Sequence, residues 1–296
     1  MRSFKFSFVL LVAMFAAISA FGQGTAVYNS IPNPLPPNIP SLGYQATSTA
    51  EWGDHVSFSG THRRAASATV LMSNWARYSS YPSLSSAGFD HPVTFNIYAV
   101  DNSGANPAPG ALLGSVTQTF LMPWRPEADP TCAGGTAWRA GDGNCYSGYA
   151  FTITFDLTSL GLTLPNEVIF GVAYNTNTWG YEPIGLPGPY ESLNVGTSNV
   201  GGVGVPPSTG TDVDPDVTFA NSRWPGFYTD GGAGGLGIFR RDTNWTGYST
   251  AAKINAFTEA TSANACKNGG WRGLARANGT PFRNQGDCIQ YVNTGR

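Results

Sequence analysis

The stretch TDVDPD sets three carboxylates, Asp212, Asp214 and Asp216, at alternate positions within five residues. Oxygen donors at that density suit a hard cation such as Ca2+, which gathers several oxygen ligands. The spacing is not that of an EF-hand. Val217 stands where such a loop needs glycine, and Arg223 stands where the bidentate glutamate belongs. The same residues also read as a polar turn in which Pro215 enforces a bend ahead of the strand-like DVTFAN. A structural Ca2+ held by Asp212, Asp214 and Asp216 is the one cofactor expected.

Aromatic residues offer a second kind of chemistry. The chain has 8 tryptophans and 13 tyrosines, more than the core of one sandwich requires. In NTWGYEP, NSRWPGFY and NWTGY, the rings of Trp179, Tyr181, Trp224, Trp245 and Tyr248 fall in turn-like contexts beside Asn, Arg and Glu. Flat rings can stack on sugar faces while their polar neighbours bond to hydroxyls, so the expected partner is a polysaccharide or another cell-surface component. The competing expectation is that such rings plug the ends of a sandwich and cover its loops.

Catalytic signals are sparse. Glu51, Asp54, Glu127, Glu167, Glu182 and Glu191 are available for a glycosidase pair, but no two of them form a motif on one strand. The chain has neither a G-x-S-x-G elbow nor an H-E-x-x-H helix. His55, His62 and His91 read as surface or turn histidines, with His91 preceding Pro92 in a loop. A non-enzymatic binding, adhesion or matrix protein is therefore the expectation. The alternative is an extracellular glycosidase or polysaccharide lyase on the same fold.

The N-terminus, MRSFKFSFVLLVAMFAAISAFGQG, puts Arg2 and Lys5 ahead of an apolar run that ends in small residues. That pattern is a secretory leader, with cleavage after Ala20 or Gly22, and the run falls short of the ~20 apolar residues of a spanning helix. An exported chain acting outside the cell or in the envelope is expected, with no membrane insertion once the leader is removed. A formal net charge of −2 gives no electrostatic case for nucleic acid.

In that compartment Cys132, Cys145, Cys266 and Cys288 suggest two disulfides. Four cysteines allow three connectivities, of which neighbour pairing is simplest. Zinc has no support, because no Cys or Cys/His pair has ligand spacing. The tail opens with CKNGGW and closes with NQGDCIQYV. Gly269 and Gly270 suit a tight turn, Trp271 an apolar anchor, and Asn284 the cap of a short helix whose Ile289 and Val292 face inward. These two stretches, with Phe282 between them, resemble a short C-terminal motif carried by varied exported bacterial proteins. The body, through ATSTAEWGD at 46–54 and TDVDPD at 211–216, is similar to a group of exported bacterial proteins. The resemblance implies no reaction and no catalytic residues. A motif appended to varied proteins suits attachment or display, and a structural clasp serves equally well.

The elements that must position these residues are strands. Charged residues make up 11% of the chain against 13% aromatics, with 37 glycines and 21 prolines, a balance typical of extracellular all-β proteins. In YAFTITFDL the large side chains recur with a period of two, as a half-buried strand requires. Eight or nine such runs without an amphipathic helix between them indicate an antiparallel β-sandwich, and long loops such as 123–147 and 175–190 favour a jelly-roll form. The expected division is a leader at 1–22, a Pro-rich arm at 23–45, the sandwich at 46–250, and a linker with the Cys-closed motif at 251–296.

Overall fold

The computed structural model describes residues 24–222 and 238–296, so the leader and Trp224 lie outside the described residues. Within the described residues fourteen strands build two seven-stranded sheets. In chain order they are β1 (Thr25–Asn29), β2 (Ser41–Gly43), β3 (Thr49–Ser57), β4 (Arg64–Asn74), β5 (Phe89–Asp101), β6 (Ala108–Met122), β7 (Tyr149–Asp156), β8 (Glu167–Ala173), β9 (Leu193–Gly196), β10 (Thr211–Asp212), β11 (Val217–Ser222), β12 (Arg240–Thr243), β13 (Ala252–Glu259) and β14 (Leu274–Ala275). The first sheet runs β1-β13-β4-β9-β2, with β7 also on β4 and β14 on β13. The second runs β12-β11-β3-β8-β5-β6, with β10 also on β3. Among the described residues, the β13–β14 pairing alone in these sheets is parallel.

The inner faces meet in one core. Val70, Phe155 and Ile254 come from the first sheet, and Trp52, Phe95 and Phe170 from the second. On β7 the expected alternation holds: Ile153 and Phe155 are buried while Thr152 and Thr154 are exposed. The Thr154 hydroxyl meets that of Thr69 on β4 at 2.9 Å, a cross-strand pair on the outer face. An all-β sandwich is thus the fold, and its strands repeatedly cross between the two sheets.

The edges of the sandwich differ from the expected division. The Pro-rich arm contributes β1 and β2, because its prolines lie between the two strands and leave their ladders intact. At the other end, β13 lies between β1 and β4, so part of the expected linker is an interior strand. Its inward residues Ala252, Ile254 and Ala256 are fully buried but mostly small, which mutes the alternation in sequence. The histidines also depart from expectation. His91 lies in β5, not in a loop, and is 2% exposed, and His55 lies in β3 and is 3% exposed.

Both disulfides join neighbours. Cys132–Cys145 closes the loop that carries the two-stranded ribbon Trp138–Arg139 and Cys145–Tyr146. After the one-turn helix α1 (Tyr44–Thr47), Cys266–Cys288 ties two helices together, α2 (Ala263–Cys266) and α3 (Gln285–Thr294). As expected, Asn284 caps α3, its side chain accepting from the Asp287 amide at 2.9 Å, and Ile289 and Val292 pack on the buried disulfide. Gly269 takes the left-handed φ of 85°, and a Cβ on Gly270 would lie 2.1 Å from the Ala265 carbonyl oxygen, so the turn requires both glycines.

Candidate functional site

Strand β3 presents opposite faces at successive residues. Trp52 and Val56 enter the inter-sheet core, and Asp54, on the same face, is paired in register with the core residue Phe170. Glu51, Gly53 and His55 therefore face outward from the second sheet. Normally a carboxylate in that position would reach solvent, yet Glu51 is fully buried.

The neighbouring strands explain where its charge goes. Gly171 of β8 stands between Glu51 and β5, and a Cβ there would fall 2.0 Å from Glu51 Oε1, so the missing side chain is the space the carboxylate occupies. Across that gap Asn96 Nδ2 donates to Oε1 at 2.8 Å and Tyr98 Oη donates to the same oxygen at 2.9 Å. Tyr181 Oη donates to Oε2. Ser115 on β6 in turn donates to Asn96 Oδ1 at 2.7 Å and fixes the amide. Burial pushes the Glu51 carboxyl above the usual range, and the bonds from Tyr181, Asn96 and Tyr98 oppose that shift. The Tyr181 hydroxyl is pushed up in its turn, by burial and then by the Glu51 charge.

Tyr181 reaches the network from a loop that is itself well anchored. Thr176 N donates to the Trp179 carbonyl at 2.7 Å, Glu182 N donates to Asn175 Oδ1 at 2.9 Å, and Thr176 Oγ1 donates to Gln45 Oε1 at 2.6 Å. With its hydroxyl pinned, Tyr181 is still 54% exposed. It forms one wall of a cavity of about 280 Å³ that is also lined by Pro92, Thr94, Thr117, Asn175 and Glu182. A flat ring borders this opening together with Asn175 and the Thr94 and Thr117 side chains, whose hydroxyls bond to each other at 2.7 Å. No family model, curated protein or solved structure matches the chain. The site must therefore be read from its own chemistry.

The other expected ligand-binding rings are divided. Trp179 is half-buried in the Tyr181 loop, so these two share a segment. Trp245 packs on the core residue Trp52 at 5.4 Å between ring centroids and donates Nε1 to Asp242, which commits it to the sandwich. Tyr248 is 42% exposed on the same turn as Trp245.

The three aspartates do not converge on one point. Asp214 pairs with Arg241 at 2.9 Å, Asp216 accepts from Thr246 Oγ1 at 2.5 Å, and Asp212 turns into the sandwich, where Ser249 Oγ donates to its Oδ2 at 2.5 Å. Among the described residues no group of three His, Cys, Asp or Glu side chains is placed to hold a metal. The polar turn is real, with Val217 N donating to the Asp214 carbonyl at 2.8 Å.

Asn96, Tyr98 and Ser115 were not singled out in sequence, although a signal for them existed. In VTFNIYAV, Thr94, Asn96 and Tyr98 alternate with Val93, Phe95 and Ile97, which marks a polar face on β5. The structure adds what covers that face. The two disulfides and the all-β fold are compatible with an extracellular location, and no helix among the described residues is long and apolar enough to cross a membrane.

Proposed function

We propose that the chain is a secreted, non-enzymatic binding protein of the extracellular space or envelope that recognises carbohydrate on the outer face of its second sheet. The observation that carries this reading is Tyr181, held half-exposed over an open cavity by its bond to buried Glu51. Orientation of a ring before the ligand arrives lowers the ordering cost of stacking on a sugar face. Thr94, Thr117, Asn175 and Glu182 supply the donors and acceptors that a hydroxyl-rich ligand needs.

Binding is favoured over glycoside cleavage for a specific reason. Both Glu51 oxygens already accept bonds, from Asn96, Tyr98 and Tyr181, and among the described residues lining the cavity Glu182 is the one carboxylate. A glycosidase needs two carboxyl groups facing the substrate. A glycan array and a polysaccharide pull-down with the oxidised protein test the reading. Tyr181→Ala is expected to weaken binding about tenfold, which corresponds to ~1.4 kcal/mol. Glu51→Gln should weaken it less, and Tyr248→Ala should leave it unchanged. Absence of binding to any glycan, or binding indifferent to Tyr181→Ala, would sink the proposal.

A further inference from the structure

The inner face of β3 carries a feature that the Tyr181 site does not use. Asp54 is 1% exposed in the space between the sheets, with Trp52 and Val56 on either side along the strand. Its Oδ1 accepts from the His55 amide at 2.9 Å, and its Oδ2 has no partner. Strand β10 places a second carboxylate beside it. Asp212 pairs in register with Val56, so its side chain enters the same face and lies diagonal to Asp54. Asp212 is 8% exposed, and its Oδ1 is also without a partner, while Oδ2 is held by Ser249.

A third group comes from the opposite sheet. Tyr28 on β1 is fully buried, its ring lies against Gly210 two residues before Asp212, and its hydroxyl has no partner. Three buried oxygens from Asp54, Asp212 and Tyr28 are thus unmatched in one inter-sheet region. Unmatched buried oxygens are costly, and two carboxylates side by side more so, unless a positive charge lies between them. On the Asp212 side the region borders a cavity of about 570 Å³, lined by Asp212 and Ser249 with Val205, Pro206, Pro207 and Thr246.

We infer that Asp54 and Asp212, with Tyr28 beside them, bind a hard divalent cation of the Ca2+ type in the inter-sheet space. Oxygen-only donors select such an ion, and water completes its coordination. This donor set is not the one expected from TDVDPD. Asp214 and Asp216 are engaged by Arg241 and Thr246, and Asp54, 158 positions away from Asp212 in the chain, takes their place through strand pairing.

Terbium luminescence provides the test, because Trp52 lies two residues from Asp54 on one strand and so within about 7 Å along the chain to sensitise a bound ion. The oxidised full-length protein is titrated with Tb3+, Ca2+ is added in competition up to ~10 mM to cover the weak extracellular range, and thermal unfolding is followed with and without CaCl2. Wild type should show one saturable Tb3+ site displaced by Ca2+, together with a rise in Tm on adding CaCl2. Asp54→Asn and Asp212→Asn should each weaken Tb3+ binding at least tenfold and abolish the Tm response, while Asp214→Asn and Asp216→Asn retain both. The Asn variants preserve shape, and their circular dichroism and cooperative melting check that they fold. No sensitised emission and no Tm shift in wild type would overturn the inference, leaving a shared proton between the carboxylates. Loss in Asp214→Asn or Asp216→Asn with retention in Asp54→Asn would overturn it equally and place the ion on the exposed turn.

Discussion

His91 shows how burial sets the chemistry of one residue. Its ring stacks on Tyr190 at 5.6 Å and meets Tyr174 edge-on at 5.7 Å, and Nε2 has no hydrogen-bond partner. Burial lowers its pKa from 6.5 to about 4, with a bond to the Asn175 backbone opposing the shift. The folded state therefore binds this proton less readily than the unfolded chain. As pH falls from 6.5 towards 4, protonation of the unfolded state draws the equilibrium away from the fold; below about 4 both states are protonated and the effect is complete. The loss amounts to about 3 kcal/mol, which follows from the width of that window at ~1.4 kcal/mol per pH unit. His91→Phe keeps an aromatic ring but does not titrate. Urea unfolding at a series of pH values should show the variant gaining about 3 kcal/mol on wild type between pH 6.5 and 4. A difference that stays constant across that range would mean that His91 does not stay neutral in the folded protein.

Strand β13 decides where the sandwich ends. It bonds to β1 on one side and β4 on the other, and its Ala260 neighbour donates to the Ala275 carbonyl at 3.0 Å to start the clasp. The clasp has its own small core of Ala260, Cys266, Leu274, Phe282 and Cys288. It also covers Phe257, which packs with Ala66 and Ala275. A chain ending at Thr261 should therefore fold but lose about 2 kcal/mol, the cost of re-exposing one buried aromatic side chain. A chain ending at Thr250 should not fold, since β1 would lose its ladder and the lower half of β4 would be left with β7 alone. Circular dichroism and urea unfolding of the two truncations check this, and a folded Thr250 chain would refute the assignment of β13 to the interior. Much at this scale was legible in sequence. The alternation of YAFTITFDL and the Asn284 cap follow from local chemistry, and the disulfides take the simplest of the three connectivities that four cysteines allow. Strand β13 was not legible, because alanines leave little contrast between its faces, and β1 was hidden because prolines dominate the composition around it. The site was legible only in parts: Tyr181 was marked by its turn context, whereas the burial of Glu51 depends on Gly171, which is 120 positions further along the chain.

The pairing of the first and penultimate sheet segments governs the behaviour of the whole molecule. Thr25 is registered against Ala256, and β3 near the start of the chain pairs with β8, β10 and β11 from its second half. Such non-local pairing must overcome a large loss of chain entropy before any sheet is complete, so refolding should be slow, in the millisecond-to-second range or longer. No segment shorter than 25–259 contains β1, β4 and β13 together, and the sandwich should therefore unfold as one unit. The clasp, joined through β14 and held by Cys266–Cys288, is in contrast a local structure. Amide hydrogen exchange can separate the two. In the oxidised protein, amides of β3, β4, β8 and β13 should exchange together and most slowly, at the rate set by global unfolding, because these strands are paired on both sides. Amides of α3 should exchange faster, and reduction should speed them further, because opening a loop of 22 residues removes a constraint worth roughly 3 kcal/mol in the chain-entropy account. If reduction sped exchange in β4 as much as in α3, the clasp would be an integral part of the sandwich. Confinement of the effect to α2 and α3 would leave the sandwich, its Tyr181 cavity and its inter-sheet carboxylates as one cooperative body to which the clasp is attached.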